Sequence, residues 1–444
     1  MTTSANAVFI FLFIFRYLRL VVHIVSFHFL YKSTPVPANP TLFRSDCSII
    51  IPTIDPMNPG FRKCLKTVLA NEPGQLIIVT VGDSYYSLTE LIVEPLRTQF
   101  RKTKITVTQM EEANKRKQVA HGLQLVTGLI TVLVDDHVYW PSTNFLPTIL
   151  APFEDPKVGG LGTNKRVLRT SRGFSWESIY NFWGAVYLER HNFEIRATNA
   201  IDGGVFVLSG RTSAHRSKIL QDPEFLSGFK HERCLFGRIG PIGPDDDNYI
   251  TRFEVTKGWK LAIQYCEDAT IETDLGAPHK YADQCLRWVR TTWRSNACSL
   301  FTDRVVWTSQ PWCVYAVYFT SFFNFALFYD PLLLATLWLT TFGHSWQALS
   351  YMGLWIFWSK MVKLVAHFKR CKHDIVLIPW YIAFAYYHSL LKLGALITFY
   401  EVKWMGRDLE NIETQAQREL AEYQAQDSAR TPSSAQNETT PLLT

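Results

Sequence analysis

Apolar residues concentrate at the two ends of this chain, whereas its middle alternates between apolar and polar positions as a soluble domain does. Residues 8–31 form an apolar stretch long enough to cross a hydrocarbon core of about 30 Å. Arg16, Arg19 and His23 recur at helical spacing within it, so they share one face of the helix. We therefore predict an N-terminal membrane helix within residues 1–34, with its basic face packed on other protein.

A second apolar region, residues 311–403, predicts a C-terminal transmembrane region. From Pro311 to Gly343 its only charged residue is Asp330. One helix over that length would rise about 50 Å, which is too long for a single crossing. We therefore expect a turn at Asp330–Pro331, with a membrane segment on either side.

Two more apolar runs, residues 346–359 and 375–391, are separated by a basic spacer at residues 360–373. Basic segments beside membrane helices favour the cytosolic side, so the spacer is expected there. The chain then becomes polar, and residues 407–444 predict a disordered tail.

Between residues 44 and 297, short apolar strands alternate with helical patterns, which predicts one α/β domain with a mainly parallel sheet. Strands are predicted at 48–52, 75–82, 104–109 and 129–136, with helices at 60–70 and 114–126. The carboxyl ends of such strands meet at one edge, where ligands bind. The basic and aromatic segment 284–300 is predicted as an interfacial helix.

The composition argues against two classes of function. The eight cysteines contain no CxxC pair, which favours a reduced cytosolic domain over a disulfide scaffold or a zinc site. The net charge of +6 is modest and spread out, without the interleaved basic and aromatic residues of a nucleic-acid binder. The lipid bilayer and a diphosphate substrate are the expected anionic partners, and nucleic acid is not one.

The first acidic cluster, Asp135, Asp136 and His137, ends a predicted strand at the edge where a ligand is expected. Side chains two apart in a strand or tight turn reach the same side, so Asp135 and His137 could hold one metal ion bound to phosphate oxygens. A solvated strand end beside a helix cap would explain the same residues. The motif alone leaves both interpretations open.

The second acidic cluster consists of Asp245, Asp246 and Asp247, just before a helical pattern. One of the three fits a helix N-cap. Adjacent like charges repel and raise the pKa of one member, which suits a general base that takes a proton from a sugar hydroxyl. Capping alone stays open as the alternative.

A basic and aromatic helix is predicted in QCLRWVRTTWR, where Arg287, Arg290 and Arg294 lie on adjoining faces with Trp288 and Trp293 between them. Arginine suits a diphosphate leaving group, and tryptophan suits the flat face of a sugar ring. A plain anchor at the membrane interface is the alternative.

In order along the chain, IIP, NKRKQ, DDH, SGR, PDDDN, QCLRW and WMGR resemble the motifs of processive family 2 glycosyltransferases, the group of hyaluronan, chitin and cellulose synthases. The resemblance covers residues 48–294, reaches more loosely to 407, and is nearest to the fungal capsular-polysaccharide-synthase-like branch. It implies a GT-A domain inserted between N-terminal and C-terminal membrane helices. It also implies a UDP-sugar donor, a growing polysaccharide acceptor, and Mn²⁺ or Mg²⁺ as the cofactor.

The resemblance assigns roles to individual residues. Donor and nucleotide binding is assigned to Pro52, Thr53, Asp55, Asp83, Lys115, Arg116, Asp136, Gln284 and Arg287. The metal is assigned to Asp135 and His137. The second Asp of the family's D-x-D motif is His137 here, a departure that suits Mn²⁺ better than Mg²⁺.

Catalysis is assigned to Asp247 as the base, with Asp246 beside it. Acceptor binding is assigned to Ser209, Gly210, Arg211 and Trp288. The family's usual proline in the SG segment is Arg211 in this chain. WMGR is close to the family's WGTR gate, which makes Trp404 and Arg407 the gate residues.

The implied function is inverting, processive synthesis of a β-linked polysaccharide, exported through the enzyme's own pore across a fungal plasma membrane, with a cytosolic catalytic domain. A non-processive enzyme that resembles ceramide glucosyltransferase shares the spaced aspartates and Q-x-x-R-W. A transporter or channel with an inactive sugar-binding domain is the third interpretation. No motif reports the sugar, so UDP-glucose, UDP-N-acetylglucosamine and alternation with UDP-glucuronic acid stay open, as does the oligomeric state.

Overall fold

The computed structural model describes residues 2–275, 278–402 and 412–430. Its strands are β1 (Cys47–Pro52), β2 (Gln75–Val81), β3 (Lys104–Met110), β4 (Ile130–Val134), β5 (Val138–Tyr139), β6 (Val158–Val167), β7 (Thr212–Arg216), β8 (Lys260–Gln264) and β9 (Thr270–Thr273). Its helices are α1 (Thr2–Val25), α2 (Pro59–Leu69), α3 (Gly82–Gln99), α4 (Lys115–Leu123), α5 (Phe145–Leu150), α6 (Trp176–Asp202), α7 (Ser217–Leu220), α8 (Pro223–His231), α9 (Asp246–Thr256), α10 (Pro278–Ala297), α11 (Val306–Ser309), α12 (Pro311–Cys313), α13 (Thr320–Phe323), α14 (Ala326–Trp338), α15 (Trp346–Met361), α16 (Val365–Arg370), α17 (Ile378–Thr398) and α18 (Ile412–Arg430). Short 3₁₀ and π-helical turns join several of these helices.

The first half of the sheet is parallel, in the order β3-β2-β1-β4. β1 and β2 are wholly buried, because α2 and α3 cover one face and α4 and α8 cover the other. Strands covered on both faces are continuous runs of apolar residues, which is why the sequence predicts them.

The second half of the sheet is mixed. β7 pairs antiparallel with β4 and with β6, and β6 pairs parallel with β8 and β9. Parallel pairings are still the majority among the described strands, and the predicted α/β fold is confirmed. The mixed order places the ends of β4 and β6 and the segment before β7 around one cavity.

Two described helices, Ser4–Leu30 and Lys372–Thr398, are long and apolar enough to cross a membrane. A third span is available if the pair Pro311–Phe323 and Ala326–Trp338, bent by 93°, counts as one. The apolar ends of the chain therefore supply candidate membrane spans on both sides of the α/β domain.

The predicted Asp330–Pro331 turn is wrong, because the bend lies at Asn324. The helix continues through Asp330, whose buried carboxylate pairs with Arg16 of α1 and Lys360 of α15. At the bend, Arg16 donates to the Asn324 side chain and Lys392 donates to backbone carbonyls. These basic side chains satisfy polar groups that the broken helix would otherwise leave unpaired.

The basic face of α1 packs on protein, as its spacing predicts. Arg19 donates to the Ala316 carbonyl at 2.8 Å, and Trp312 Nε1 donates to His23 Nε2 at 3.1 Å. Arg16 is buried in its pair with Asp330. The basic face of α1, which would be unfavourable in contact with lipid, therefore packs on the bent helix pair.

The segments on both sides of α17 contact the α/β domain. Before it, Asp374 accepts two hydrogen bonds from Arg169, which follows β6. At its other end, Arg290 of α10 donates to Thr398 and pairs with Glu401. The segment predicted as an interfacial helix therefore has a buried side that packs along α17.

The basic spacer also supplies ion pairs to the protein. Lys363 lies 2.9 Å from Glu194 of α6, and Arg370 pairs with Glu189 of the same helix. The positive-inside argument assumes that the basic side chains of the spacer face solvent. Lys363 and Arg370 instead pair with α6 and hold it against the C-terminal helices.

The predicted disordered tail is wrong for residues 412–430, which form α18 on the surface of α3. Ile412 and Ala416 are buried in the main core, and Leu420 and Tyr423 pack against it. These four side chains share one helical face. The polar composition of the segment conceals this narrow stripe.

Candidate active site

One cavity of about 1540 Å³ extends from the carboxyl ends of β1 and β4 to helices α1, α6, α15 and α17. It gathers most of the residues that the sequence singles out. Those that line it are Pro52, Thr53, Asp55, Lys115, Arg116, Asp135, Asp136, His137, Ser209, Gly210, Arg211, Asp246, Asp247, Gln284, Arg287 and Trp288. The gate candidates Trp404 and Arg407 lie outside the described residues.

Asp136 orients its neighbours at the end of β4. Thr53 Oγ1 donates to one carboxylate oxygen at 2.8 Å, and His137 Nδ1 lies 2.9 Å from the other. Asp136 is buried, whereas about a third of the His137 side chain is exposed. These contacts leave Nε2 as the ring nitrogen that His137 can offer to a ligand.

Lys115 joins the two acidic clusters. Its Nζ lies 2.8 Å from Asp135 and 3.0 Å from Asp246. Burial is the largest single effect on Asp135 and opposes its ionisation, but the charges of Lys115 and His137 and the hydrogen bond from Lys115 together outweigh it, so the pKa of this carboxyl lies below its ordinary value. Carboxylates from β4 and α9 therefore converge on one cation.

The chemistry of this donor set fits a divalent metal ion. Asp135 offers carboxylate oxygen and His137 offers imidazole nitrogen, a mixture that suits Mn²⁺. The ammonium of Lys115 already sits between two carboxylates, which marks the place as favourable for positive charge. Asp135 and His137, the residues predicted to hold the metal, both line the cavity and are of the right chemical type.

The three consecutive aspartates have different partners. Asp245 accepts hydrogen bonds from Thr291 and Arg294 of α10 at 2.6 and 2.7 Å, and Asp246 pairs with Lys115. Asp245 occupies the N-cap position of α9, but its side chain makes no capping bond. The predicted cap is therefore replaced by a tie between α9 and α10.

Asp247 has no ion pair within the part of the chain that the structure describes. Its Oδ2 accepts a hydrogen bond from the Gly210 amide at 3.0 Å. Burial, with the charge of Asp246 adding to it, raises the pKa of Asp247 to about 6. Such a carboxylate is suited to accept a proton near neutral pH. Like-charge repulsion predicts the direction of this shift, although burial is its larger cause.

The SG segment holds the base in place. A Cβ on Gly210 would lie 3.4 Å from Asp247 and 3.5 Å from Lys115, so a side chain here would fill the space between them. Ser209 is buried, and its hydroxyl accepts a hydrogen bond from the Arg211 backbone amide at 3.4 Å. The glycine therefore keeps the cavity open next to Asp247.

Trp288 belongs to an aromatic pair. Its ring stacks on Tyr187 of α6 with centroids 5.1 Å apart, and the Arg211 guanidinium lies 5.1 Å from the ring centre. Gln284 and Arg287 line the cavity on the same helix. The sequence identifies Trp288 but not Tyr187, because α6 has no motif that marks it.

Arg116 borders the cavity, but its polar atoms bond to protein. It is 1% exposed, pairs with Glu232 and donates to the carbonyls of Phe229 and Pro244. A contact with a nucleotide, as predicted, would require these bonds to open. In this arrangement Arg116 supports the loop that precedes α9.

Asp83 lies apart from the other predicted donor residues. It is exposed in the first turn of α3, accepts a hydrogen bond from Gln109 at 2.7 Å and does not line the cavity. Beside it, Glu413 of α18 accepts a hydrogen bond from Ser84 at 2.6 Å. Gly82 has a φ of +73°, a backbone conformation that favours glycine, and the Glu413 carboxylate lies over the position where a Cβ would be.

Lys165 and His191 are site residues that sequence reasoning misses. Lys165 lies in β6, and its Nζ is 2.8 Å from His191 Nδ1 of α6. Burial and the charge of Arg211 lower the pKa of Lys165 to about 7. One sequence signal could have identified Lys165: the tripeptide Asn-Lys-Arg occurs at both 114–116 and 164–166. The lysines of both copies, Lys115 and Lys165, line the cavity.

The family model described as "Glycosyltransferase like family 2" matches residues 46–291, which is more than half of the chain. The chain belongs to glycosyltransferase family 2. The matched segment contains both acidic clusters, the SG segment and QCLRW. The predicted family is thus confirmed.

Relatives of this family 2 glycosyltransferase extend the likeness beyond the matched domain. A type 2 glycosyltransferase of Gibberella zeae is 44% identical over 88% of this chain and 74% of its own length. One of Pyricularia oryzae is 42% identical over 89% of this chain and 81% of its own. The likeness to both therefore extends well beyond residues 46–291.

A solved structure supports the GT-A fold. The mannosyltransferase PcManGT from Pyrobaculum calidifontis, in complex with GDP-Man and Mn²⁺, superimposes with a TM-score of 0.54 over 90% of this chain and 100% of its own. The two sequences are 15% identical, so the likeness concerns the fold. The GT-A domain predicted for this family 2 glycosyltransferase is confirmed.

Proposed function

We propose that this glycosyltransferase is an inverting, processive polysaccharide synthase that transfers sugar from a UDP-sugar to a growing β-linked glycan. The observation that carries the proposal is the division of labour among the three aspartates. Asp245 and Asp246 are neutralised by basic side chains, while Asp247 lines the cavity with a raised pKa. That arrangement supplies one general base beside a site suited to a diphosphate.

The proposed reaction starts with the acceptor hydroxyl next to Asp247. Asp247 accepts its proton as the oxygen attacks the anomeric carbon, opposite the bond to the nucleotide diphosphate. That bond breaks, so an α-linked donor yields a β linkage. Gly210 orients the carboxylate, and Arg287 stabilises the negative charge that develops on the leaving group.

Asp135 and His137 would hold the divalent ion, which when bound supplies positive charge to the diphosphate. Thr53 and Asp136 would keep the His137 ring oriented. Lys115 would position the two acidic clusters relative to each other.

Export through the enzyme's own pore is supported by the continuity of the cavity, which joins the base to helices α1, α15 and α17. Val402 and Ile412, the described residues on either side of Trp404 and Arg407 in the chain, both line it. We therefore retain the gate role for Trp404 and Arg407. We also place the α/β domain and α18 in the cytosol, with residues 1–34 and 311–403 in the plasma membrane.

The test is to incubate the purified protein in nanodiscs with Mn²⁺ and UDP-glucose or UDP-N-acetylglucosamine, each alone and with UDP-glucuronic acid. We expect a product of high mass that a β-specific hydrolase degrades and that Asp247→Asn does not make. A lipid carrying one sugar would instead support the glycolipid synthase, and absence of transfer with every donor would overturn both.

A further inference from the structure

The part of the cavity that lies among the helices is lined by positive charge. Arg16, Arg19, Arg190, Lys360, Lys363 and Lys392 face it, and Glu194 is the one acid among the described residues of these helices that line it. This composition differs from that of the β-strand end of the same cavity, where carboxylates predominate.

Half of these cations have acidic partners. Arg16 and Lys360 share Asp330, which lies behind the lining, and Lys363 pairs with Glu194. Within residues 2–275, 278–402 and 412–430, no carboxylate pairs with Arg19, Arg190 or Lys392. Positive charge among apolar helices is costly unless an anion offsets it.

The three remaining cations are neighbours. The charges of Arg19 and Arg190 both act on Lys392. Arg19 and Lys392 also donate to backbone carbonyls near the helix bend, which gives them a structural role. Arg190 has no such bond among the described residues. The buried His388 Nε2, on which the charges of Lys392 and Arg190 both act, likewise has no hydrogen-bond partner there.

We propose that Arg190, Lys392 and Arg19 bind the carboxylates of an acidic glycan, so that the polymer contains hexuronic acid residues. This inference rests on the proposed function, because the nascent glycan is the ligand that reaches the cluster from Asp247. Arginine pairs with carboxylate through two parallel hydrogen bonds. With a neutral glycan, Glu194, which is already paired with Lys363, would be the one negative charge among the described lining residues of these helices to offset three further cations.

A lipid phosphate would offer the same charge, but the lining favours a glycan. Asn324, Ser359 and Ser389 face the same space, together with Thr320 and Ser321. Amide and hydroxyl groups suit a hydroxylated chain, whereas an isoprenoid tail needs an apolar wall. The cluster therefore combines carboxylate-binding and sugar-binding chemistry.

The test is a binding experiment on the full-length protein in nanodiscs, which does not depend on turnover. The probes are a β-linked tetrasaccharide with two glucuronates, the same tetrasaccharide with its carboxylates methyl-esterified, and farnesyl phosphate. We expect the acidic tetrasaccharide to bind at least tenfold more tightly than its ester. Arg190→Gln should remove this difference without lowering Tm, because the described residues offer this side chain no hydrogen bond or ion pair that the substitution would break. The control Arg172→Gln alters an exposed arginine outside the cavity and should change neither quantity.

Equal binding of the acid and the ester would overturn the proposal, and so would a preference that survives Arg190→Gln. Binding of farnesyl phosphate that depends on Arg190, without binding of the tetrasaccharide, would assign the cluster to a lipid phosphate instead. Release of UDP from each UDP-sugar, measured on the same preparation, tests the proposed function separately. Loss of that activity with intact carboxylate binding would refute the synthase assignment alone.

Discussion

The two ends of the cavity solve the problem of buried charge in opposite ways. At the strand end, Lys115 is shared between Asp135 and Asp246, and negative charge is in excess. Among the helices, Glu194 is held by Lys363 while Arg190 has no partner within the described part of the chain, so positive charge is in excess. We therefore expect a ligand of opposite sign to complete each end: a cation at the strands and an anion at the helices.

The strand end can be tested first through its base, where the largest effect is expected. Asp247→Asn should lower turnover by about 10² to 10⁴, because it removes general base catalysis while the site keeps its shape. Binding of UDP should change little, since the base acts in the transition state. Initial rates of UDP release and calorimetric UDP binding measure the two effects.

Two comparisons sharpen that result. Asp246→Asn should weaken the tie to Lys115 and impair donor binding as well as rate, and Asp268→Asn, an exposed position, should alter neither. Near-normal turnover in Asp247→Asn would refute the assignment of the base. Its Tm should not fall at pH 7, because a carboxyl whose pKa is raised by folding opposes stability when it is ionised.

The cation expected at the strand end can be tested through His137. His137→Ala should weaken Mn²⁺-dependent UDP binding by about 10- to 100-fold, since it removes one proposed ligand together with the contact between His137 and Asp136. His137→Asp should shift the preference toward Mg²⁺. Titration of UDP binding with each metal measures both, with His344→Ala as the control far from the cavity. Identical metal dependence in all three variants would remove His137 from the metal site.

The ionisation of Asp247 gives a smaller, graded effect. Because the pKa of Asp247 is raised to about 6, the basic form predominates above pH 6 and is lost below it. We therefore expect kcat/KM to fall about tenfold per pH unit below 6 and to level off above it. If kcat/KM instead stays level down to about pH 4 and falls only below it, the carboxyl has an unshifted pKa, which would contradict the buried setting of the base.

The smallest effect is expected where α18 reaches the strand end. Glu413→Gln should lower the free energy of unfolding by about 1 kcal/mol or less, because Ser84 keeps a neutral acceptor in place of a charged one. Chemical denaturation measures the change, and Glu419→Gln on the same helix is the control. A loss of several kcal/mol would mean that Glu413 is a principal anchor of α18.

The sequence predicts the parallel half of the sheet because buried strands are continuous apolar runs, as in Cys47–Pro52 and Gln75–Val81. It also predicts the residues of both acidic clusters, since they lie at strand and helix ends. It does not predict the partners that decide their roles. Arg116 and Arg294 read as candidates for a phosphate, yet each is neutralised by a carboxylate brought close by tertiary folding.

The errors in the membrane region have the same cause. Asp330 followed by Pro331 is a turn signal in isolation, but Arg16 and Lys360 neutralise the aspartate and let the helix continue. Both partners are far away in the chain. A local sequence pattern shows that a charge is unfavourable at a buried position. It does not show which distant residue will neutralise that charge, because tertiary packing decides this.

The docking of α18 on α3 has a consequence for how the protein is made. Ser84 and Glu413 are 329 positions apart, and both candidate membrane spans at the C-terminal side are translated between them. The parallel half of the sheet therefore gains its last covering helix only after these apolar helices have been translated. Until then the patch that receives Ile412 and Ala416 is open to water, so slow folding of the apolar helices would prolong the exposure of this patch to chaperones and proteases.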